Sequence, residues 1–388
     1  MPHVSPEVLT WARQTAGLTP TEAAAKAQLK ATLKQTAEER IAALEDGSFE
    51  PSRPLLLKLA AAYRRPLLTF YLPRPPAEAK RVEDFRTLPD RAEEVGEATL
   101  QTLVRDVRAR QEVVRSLLEE LEIEGSTLVA RLSLQAGADA VRQFLVEALG
   151  FNRAEFRRVR QPEQAFDYLR ALAEKAGVFV LLAGNLGSFH TDLDTASFRG
   201  FALADALAPF VVINDKDAKT AWSFTLLHEL VHIVLGTSGI SGARFEGEVE
   251  KFCNDVASEI LLDEQELAEL ALPDGELVDL LRAVAEFARA RNLSGSLVAY
   301  RLYRAGLIKR ADWDQLGQAF TEAFHESRRT RPPGQPNYYV VRRHRLGRAL
   351  LDLMDVTMQE GLITPTKAGQ VLGVKPRNVQ TLLATRAA

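Results

Sequence analysis

The chain has 388 residues, 46% of them apolar and 26% charged, with a formal net charge of −3. That length suits two or three domains with real cores, and no apolar run is long enough to suggest a membrane-spanning helix. The only cysteine, Cys253, excludes an internal disulfide and fits a reducing cytoplasm. The opening residues, MPHVSPEVLTWAR, lack a basic region followed by a hydrophobic one, so no secretion signal is expected. Charge is unevenly spread. Residues 1–76 carry ten Lys/Arg against seven Asp/Glu, and residues 326–388 carry eleven against four, which leaves the centre at −13. A basic tail on an acidic centre points to more than one domain.

In chain order, residues 6–16 are expected to form a short helix ending at Gly17. Thr19 is placed as an N-cap, Pro20 suits the first helical position, and Glu22 completes a capping box. Two short helices about a glycine turn begin a helix-turn-helix. Further helices are expected at 35–45 and 52–63. With GSFEPSRPLLLKLAAAYRRPLLTFYLPRPP they make residues 1–76 a unit that resembles the N-terminal domain of XRE-type repressors, which implies DNA binding. The segment QLKATLKQTAEER departs from that pattern, being long and without the short glycine turn or a Ser/Gln-rich base-reading face. Lys26, Lys30, Lys34 and Arg40 suit phosphates, or simply a solvated helix face.

Pro73–Pro76 reads as an extended linker. Residues 77–125 hold a long helix at about 92–122, striped by Leu100, Leu103, Val104, Val107, Val113, Val114, Leu117, Leu118 and Leu121. It serves as a connector or as a homodimerisation helix, and too few strict heptads favour the connector. Helices at 138–150 and 161–176 precede three strand-like runs, Val178–Leu182, Phe198–Leu203 and Pro209–Asn214.

The run FTLLHELVHIVLG, Phe224–Gly236, carries the chemistry. His228 and His232 are four apart and share one helical face, the spacing at which two imidazoles hold one zinc at roughly 2.0–2.1 Å. Glu229 stands beside the first, placed to take a proton from water rather than to bind metal. With six histidines in the chain, a chance HExxH is on the order of a one-in-a-hundred event. A Gly/Ser loop, TSGISGARFEGE, follows. The next helix, Glu248–Leu262, should supply a third ligand from Glu248, Glu250, Asp255 or Glu259. Glu250, Asn254 and Ala257 share a face by their spacing, while Glu248 and Glu259 point elsewhere, toward solvent. Spacing alone favours Glu250 only moderately.

The run FRGFALAD…PFVVIN…FTLLHELVH…EKFCNDVASEILL resembles the ImmA/IrrE family of bacterial and phage metallopeptidases over roughly residues 126–310. The resemblance implies a zincin-like core in an α+β, predominantly helical fold, with a small sheet and flanking helix-turn-helix-like domains. It implies zinc held by His228, His232 and Glu250, with manganese as the alternative ion, and Glu229 as general base. Asp263 replaces the proline that often closes the family's second helix. Cys253 reads as a packing residue. The resemblance further implies a zinc endopeptidase that cuts a DNA-binding repressor in a phage, mobile-element or stress-response circuit. The competing reading is a DNA-binding regulator whose peptidase-like domain senses or scaffolds.

Residues 276–308 form two helices about Asn292–Gly295 that wall the site, with Tyr300 and Arg301 as packing residues. His190 and Arg199 are weak oxyanion candidates. The strand at Phe198–Leu203 is expected to pair with an extended substrate. The peptidase-like region is taken as 126–325. After the hinge RPPGQPNYY, residues 326–388 give one basic helix and then a second helix-turn-helix-like unit. In it Thr364 caps, Pro365 opens, Gly373 turns, and a helix at Pro376–Ala384 carries Lys375, Arg377, Asn378 and Gln380 as candidate DNA contacts. A helical cap or protein-docking module explains that unit equally well.

Overall fold

The computed structural model of the chain describes residues 4–32, 35–76, 83–84, 94–186, 191–241, 247–273, 276–330 and 337–384. They fall into two compact units, the first holding the described residues up to 76 with 94–106, 185, 186 and 191–193, the second those at 83, 84, 107–184 and from 194 onward. No helix among the described residues is long and apolar enough to cross a membrane.

The first unit holds α1 (Pro6–Gln14), α2 (Pro20–Lys26), α3 (Ala37–Glu45) and α4 (Arg53–Tyr63). Thr19 and Glu22 form the expected capping box, and a second one, unforeseen, joins Thr36 to Glu39. Apolar residues at helical spacing, including Leu9, Ile41, Leu44, Leu56, Leu59 and Tyr63, close a core with Phe70. Arg13 ties α1 to α3 through Glu45 at 2.6 Å. Residues 27–32, 35 and 36 between α2 and α3 are not helical, and Lys34 lies outside the described residues.

The second unit begins with β1 (Glu83–Asp84) and takes the later part of α5 (Glu94–Glu120). Leu100, Leu103, Val104, Val107, Val114, Leu117 and Leu118 of the α5 stripe are buried. There follow α6 (Ala138–Leu149), a short α7 (Arg153–Arg158), α8 (Pro162–Lys175), β2 (Phe179–Leu182), β3 (Gly200–Leu203), β4 (Phe210–Ile213), α9 (Lys219–Leu235) and β5 (Gly239–Ser241). Then come α10 (Glu248–Leu261), α11 (Glu264–Leu267), α12 (Leu277–Ala290), α13 (Gly295–Arg304) and α14 (Arg310–Thr330). The chain closes with α15 (Tyr338–Leu346), α16 (Arg348–Gln359), α17 (Pro365–Leu372) and α18 (Val379–Ala384). The fold is thus predominantly helical α+β with a small sheet, as the sequence suggests.

The sheet runs β1-β5-β3-β4-β2. β3 is antiparallel to both β4 and β5, whereas β2 pairs β4, and β1 pairs β5, in parallel. Two expectations change here. The Gly/Ser loop after the HExxH helix contains strand β5. And β3, bonded on both edges, has no free edge to offer a substrate.

The single basic helix expected in the tail also breaks. Gly347, at φ +79°, separates α15 from α16. A Cβ there would strike Arg170, Glu174 and the Val180 carbonyl. Arg170 of α8 donates to His344 O at 2.5 Å and to Val180 O, and pairs with Glu174 at 3.3 Å. Glu174 accepts from Arg348 N at 3.1 Å and Ala349 N at 3.2 Å, capping α16 from another helix. Burial lowers the Arg170 pKa and raises that of Glu174, each toward its neutral form.

Candidate active site

α9 is apolar on every side because every side is covered: α8, α10, β3 and β4 all pack on it. It ends at Gly236, whose positive φ of 69° suits the left-handed cap that follows a last helical turn. The carbonyls orphaned there are used. Ala130 N donates to Ile233 O at 3.0 Å and Arg131 N to Val234 O at 2.9 Å. α10 packs on α9, and its small residues Cys253 and Ala257 are buried in the core the two helices share.

This packing brings three expected side chains to one point. His228, His232 and Glu250 are 3%, 0% and 1% exposed, and a possible ligand atom of each lies within 4.8 Å of the others. The two Nε2 atoms are 3.2 Å apart, with Glu250 Oε2 at 3.2 Å from His228 Nε2 and Oε1 at 3.0 Å from His232 Nε2. Each outer ring nitrogen has its own partner. His228 Nδ1 lies 3.0 Å from Asn254 Oδ1, and His232 Nδ1 lies 3.0 Å from Thr237 Oγ1. Thr237 Oγ1 itself donates to His232 O at 3.3 Å, so it accepts from the ring. That network assigns the proton of each neutral ring to Nδ1 and turns both Nε2 lone pairs inward.

Two lone pairs and a carboxylate facing one another repel unless a proton or a cation sits between them. Burial alone would raise Glu250, but whenever the imidazoles also carry a proton on Nε2 their hydrogen bonds and charge hold it down at about 2. Burial also opposes charge on His228, yet Glu250 and Glu229 raise its pKa, while burial and the neighbouring His228 leave His232 lowered. Two imidazoles and one carboxylate, oriented by second partners, form a donor set that fits a zinc-like divalent cation.

Glu229, 0% exposed, lies against Gly200 of β3 and is near enough to His228 to help raise its pKa. A Cβ at Gly200 would stand 2.8 Å from Glu229 Oε1 and 2.7 Å from Thr225 Cγ2, so only glycine leaves the carboxylate its present room. The sequence marks Asn254 only as a small residue on the face of Glu250, and Thr237 and Gly200 carry no motif. The signal for Asn254 was its place four residues after Glu250. Thr237 and Gly200 acquire meaning only through packing.

Other expected residues settle elsewhere. Glu248 is exposed, but Glu259 is not simply solvated, since it pairs with Arg301 at 3.0 Å. Asp255 binds Tyr300 Oη at 2.7 Å and Arg304 at 2.6 Å, which gives Tyr300 and Arg301 packing roles. Asp263 caps α11 by accepting from Glu266 N and pairs with Arg153. Cys253 is fully buried, and burial pushes its thiol pKa up. Arg199 stands 3.9 Å from Asp217, and His190 lies outside the described residues. Lys375, Arg377 and Asn378 line an open groove of about 650 Å³ with Tyr338, Thr366 and Gln370, while Gln380 is exposed on α18. The final helix expected at 376–384 is a 3₁₀ turn, Pro376–Asn378, followed by six α-helical residues.

No curated protein and no solved structure matches the chain. Residues 173–303, about a third of the chain, match the Peptidase_M78 family model, the IrrE N-terminal-like domain. The matched stretch runs from α8 to α13 and encloses His228, Glu229, His232 and Glu250, so the chain carries a metallopeptidase-like domain with a buried group suited to a metal.

Proposed function

We propose that the chain is a zinc-dependent endopeptidase. The observation that supports it most is the convergence of both Nε2 atoms and the Glu250 carboxylate, each imidazole tied back through Nδ1. His228, His232 and Glu250 would hold the ion, with manganese as the alternative. A bound divalent cation supplies Lewis-acid polarisation of the scissile carbonyl and lowers the pKa of a water toward about 7. Glu229 takes a proton from the attacking water as its oxygen bonds to the carbonyl carbon, then delivers that proton to the leaving amine as the C–N bond breaks. Burial between α9 and β3 keeps Glu229 oriented and sheltered from bulk water.

The resemblance to ImmA/IrrE peptidases supports a DNA-binding repressor as the target and a stress-response or mobile-element setting. The deciding experiment is elemental analysis of the purified protein beside Glu250→Ala. The expected result is about one zinc per wild-type chain and loss of stoichiometric metal in the variant. Equal metal in both would remove Glu250 from the ligand set.

A second reading, a DNA-binding regulator with a sensing peptidase-like domain, draws on the exposed Lys375 and Arg377 beside the groove. It requires salt-dependent, sequence-selective DNA binding by a Glu229→Gln variant, without cleavage of any candidate repressor by the wild type.

A further inference from the structure

An extended peptide is usually bound by adding it as a strand to a sheet edge. β3, the strand that roofs Glu229, has both edges filled, by β4 and by β5. The next strand outward is β5, and it is joined tightly to the site. Thr237, which orients His232, lies two residues before it, and Ser238 accepts from Ala204 N at 2.9 Å through its hydroxyl. The register sets Gly200, the residue against Glu229, opposite Ser241 of β5. The outer edge of β5 is therefore the nearest edge to the site on that side, and a strand added there lies about two strand spacings (~10 Å) from β3.

That edge is occupied by the chain itself. Glu83 pairs Gly239 and Asp84 pairs Ile240, in parallel, at the same residues of β5 that face Ala202 and Phe201 of β3. At the far side of the sheet β2 is packed by α15, so it offers no comparable opening. We infer that β5 is the edge on which an extended substrate segment docks, and that β1 holds this place as an intramolecular stand-in, which a substrate must displace. This rests on the peptidase reading. β1 is two residues long and is joined to the sheet through one neighbour only, the arrangement expected of a strand that can leave without unfolding the core.

The test uses the full-length, zinc-loaded protein with fluorescein-labelled casein as probe. Replacing Glu83 and Asp84 together by proline removes whichever of their N–H groups faces β5 and should raise the initial cleavage rate severalfold, the effect of losing one backbone hydrogen bond. A second variant works in the opposite sense and reversibly. Asp84→Cys with Ile240→Cys, oxidised, should fall below the wild-type rate and recover on reduction. Cleavage by the wild type with no gain from the prolines and no loss from the oxidised pair overturns the inference and leaves the peptidase reading intact. If nothing cleaves, the peptidase reading fails, and anisotropy with labelled casein decides the strand question. Tighter binding by the proline variant than by the wild type supports docking on β5, and equal binding rejects it.

Discussion

Two buried polar clusters of the second unit differ in one respect. The pair Arg170 and Glu174 contains its own cation and anion, and backbone groups of Val180, His344, Arg348 and Ala349 take up much of their remaining capacity. The group His228, His232 and Glu250 contains only electron-pair donors pointed at one another, with the ring protons directed outward to Asn254 and Thr237. A cluster closed in charge fixes the chain to itself. One left short of positive charge asks for an ion. Burial alone does not distinguish them.

This contrast can be broken at several points. Glu229→Gln should retain stoichiometric zinc while cleavage falls by about 10²- to 10⁴-fold, the range of general-base catalysis. Undiminished turnover by that variant would assign the proton transfer elsewhere. At the structural cluster, Arg170→Ala should cost about 3–5 kcal/mol in urea unfolding, because it leaves a buried carboxylate behind. Replacing Arg170 by Met and Glu174 by Leu together should cost much less, with zinc content unchanged in either case. Asn254→Ala and Thr237→Val each leave the three ligands in place but free a ring to turn, so zinc affinity by competition with a chelator should fall about 10- to 100-fold. Acidification makes a subtler distinction. The His228 pKa is raised and that of Glu250 is held at about 2, so protons compete for the imidazoles while the carboxylate stays charged. Zinc should therefore be lost as pH falls through the imidazole range, which titration with a zinc indicator will follow. Retention down to pH 4 would contradict an imidazole-based site.

Much of the site was readable in advance because it lies on two helices, where identity and spacing together fix a face. HExxH needed no knowledge of the remaining chain, whereas Glu250 was favoured only moderately by its spacing with Asn254 and Ala257 and was singled out by the family resemblance. Strands β2, β3 and β4 were readable as well, from continuous apolar runs between polar breaks. β5 was not, since GIS has little strand character of its own and is extended only because β3 and β1 hydrogen-bond to it. The break at Gly347 was hidden for the same kind of reason. Its cause is a pair of charges some 170 residues earlier in the chain.

The missing side chain at Gly200 has one more consequence. Residue 200 is the roof over Glu229 and, through Ser241, a rung of the ladder that continues outward to the sheet margin. Any larger residue at 200 would have to push aside Thr225 or the carboxylate itself, so the freedom of Glu229 is set from the strand above it, with the single hydrogen atom of a glycine as the clearance.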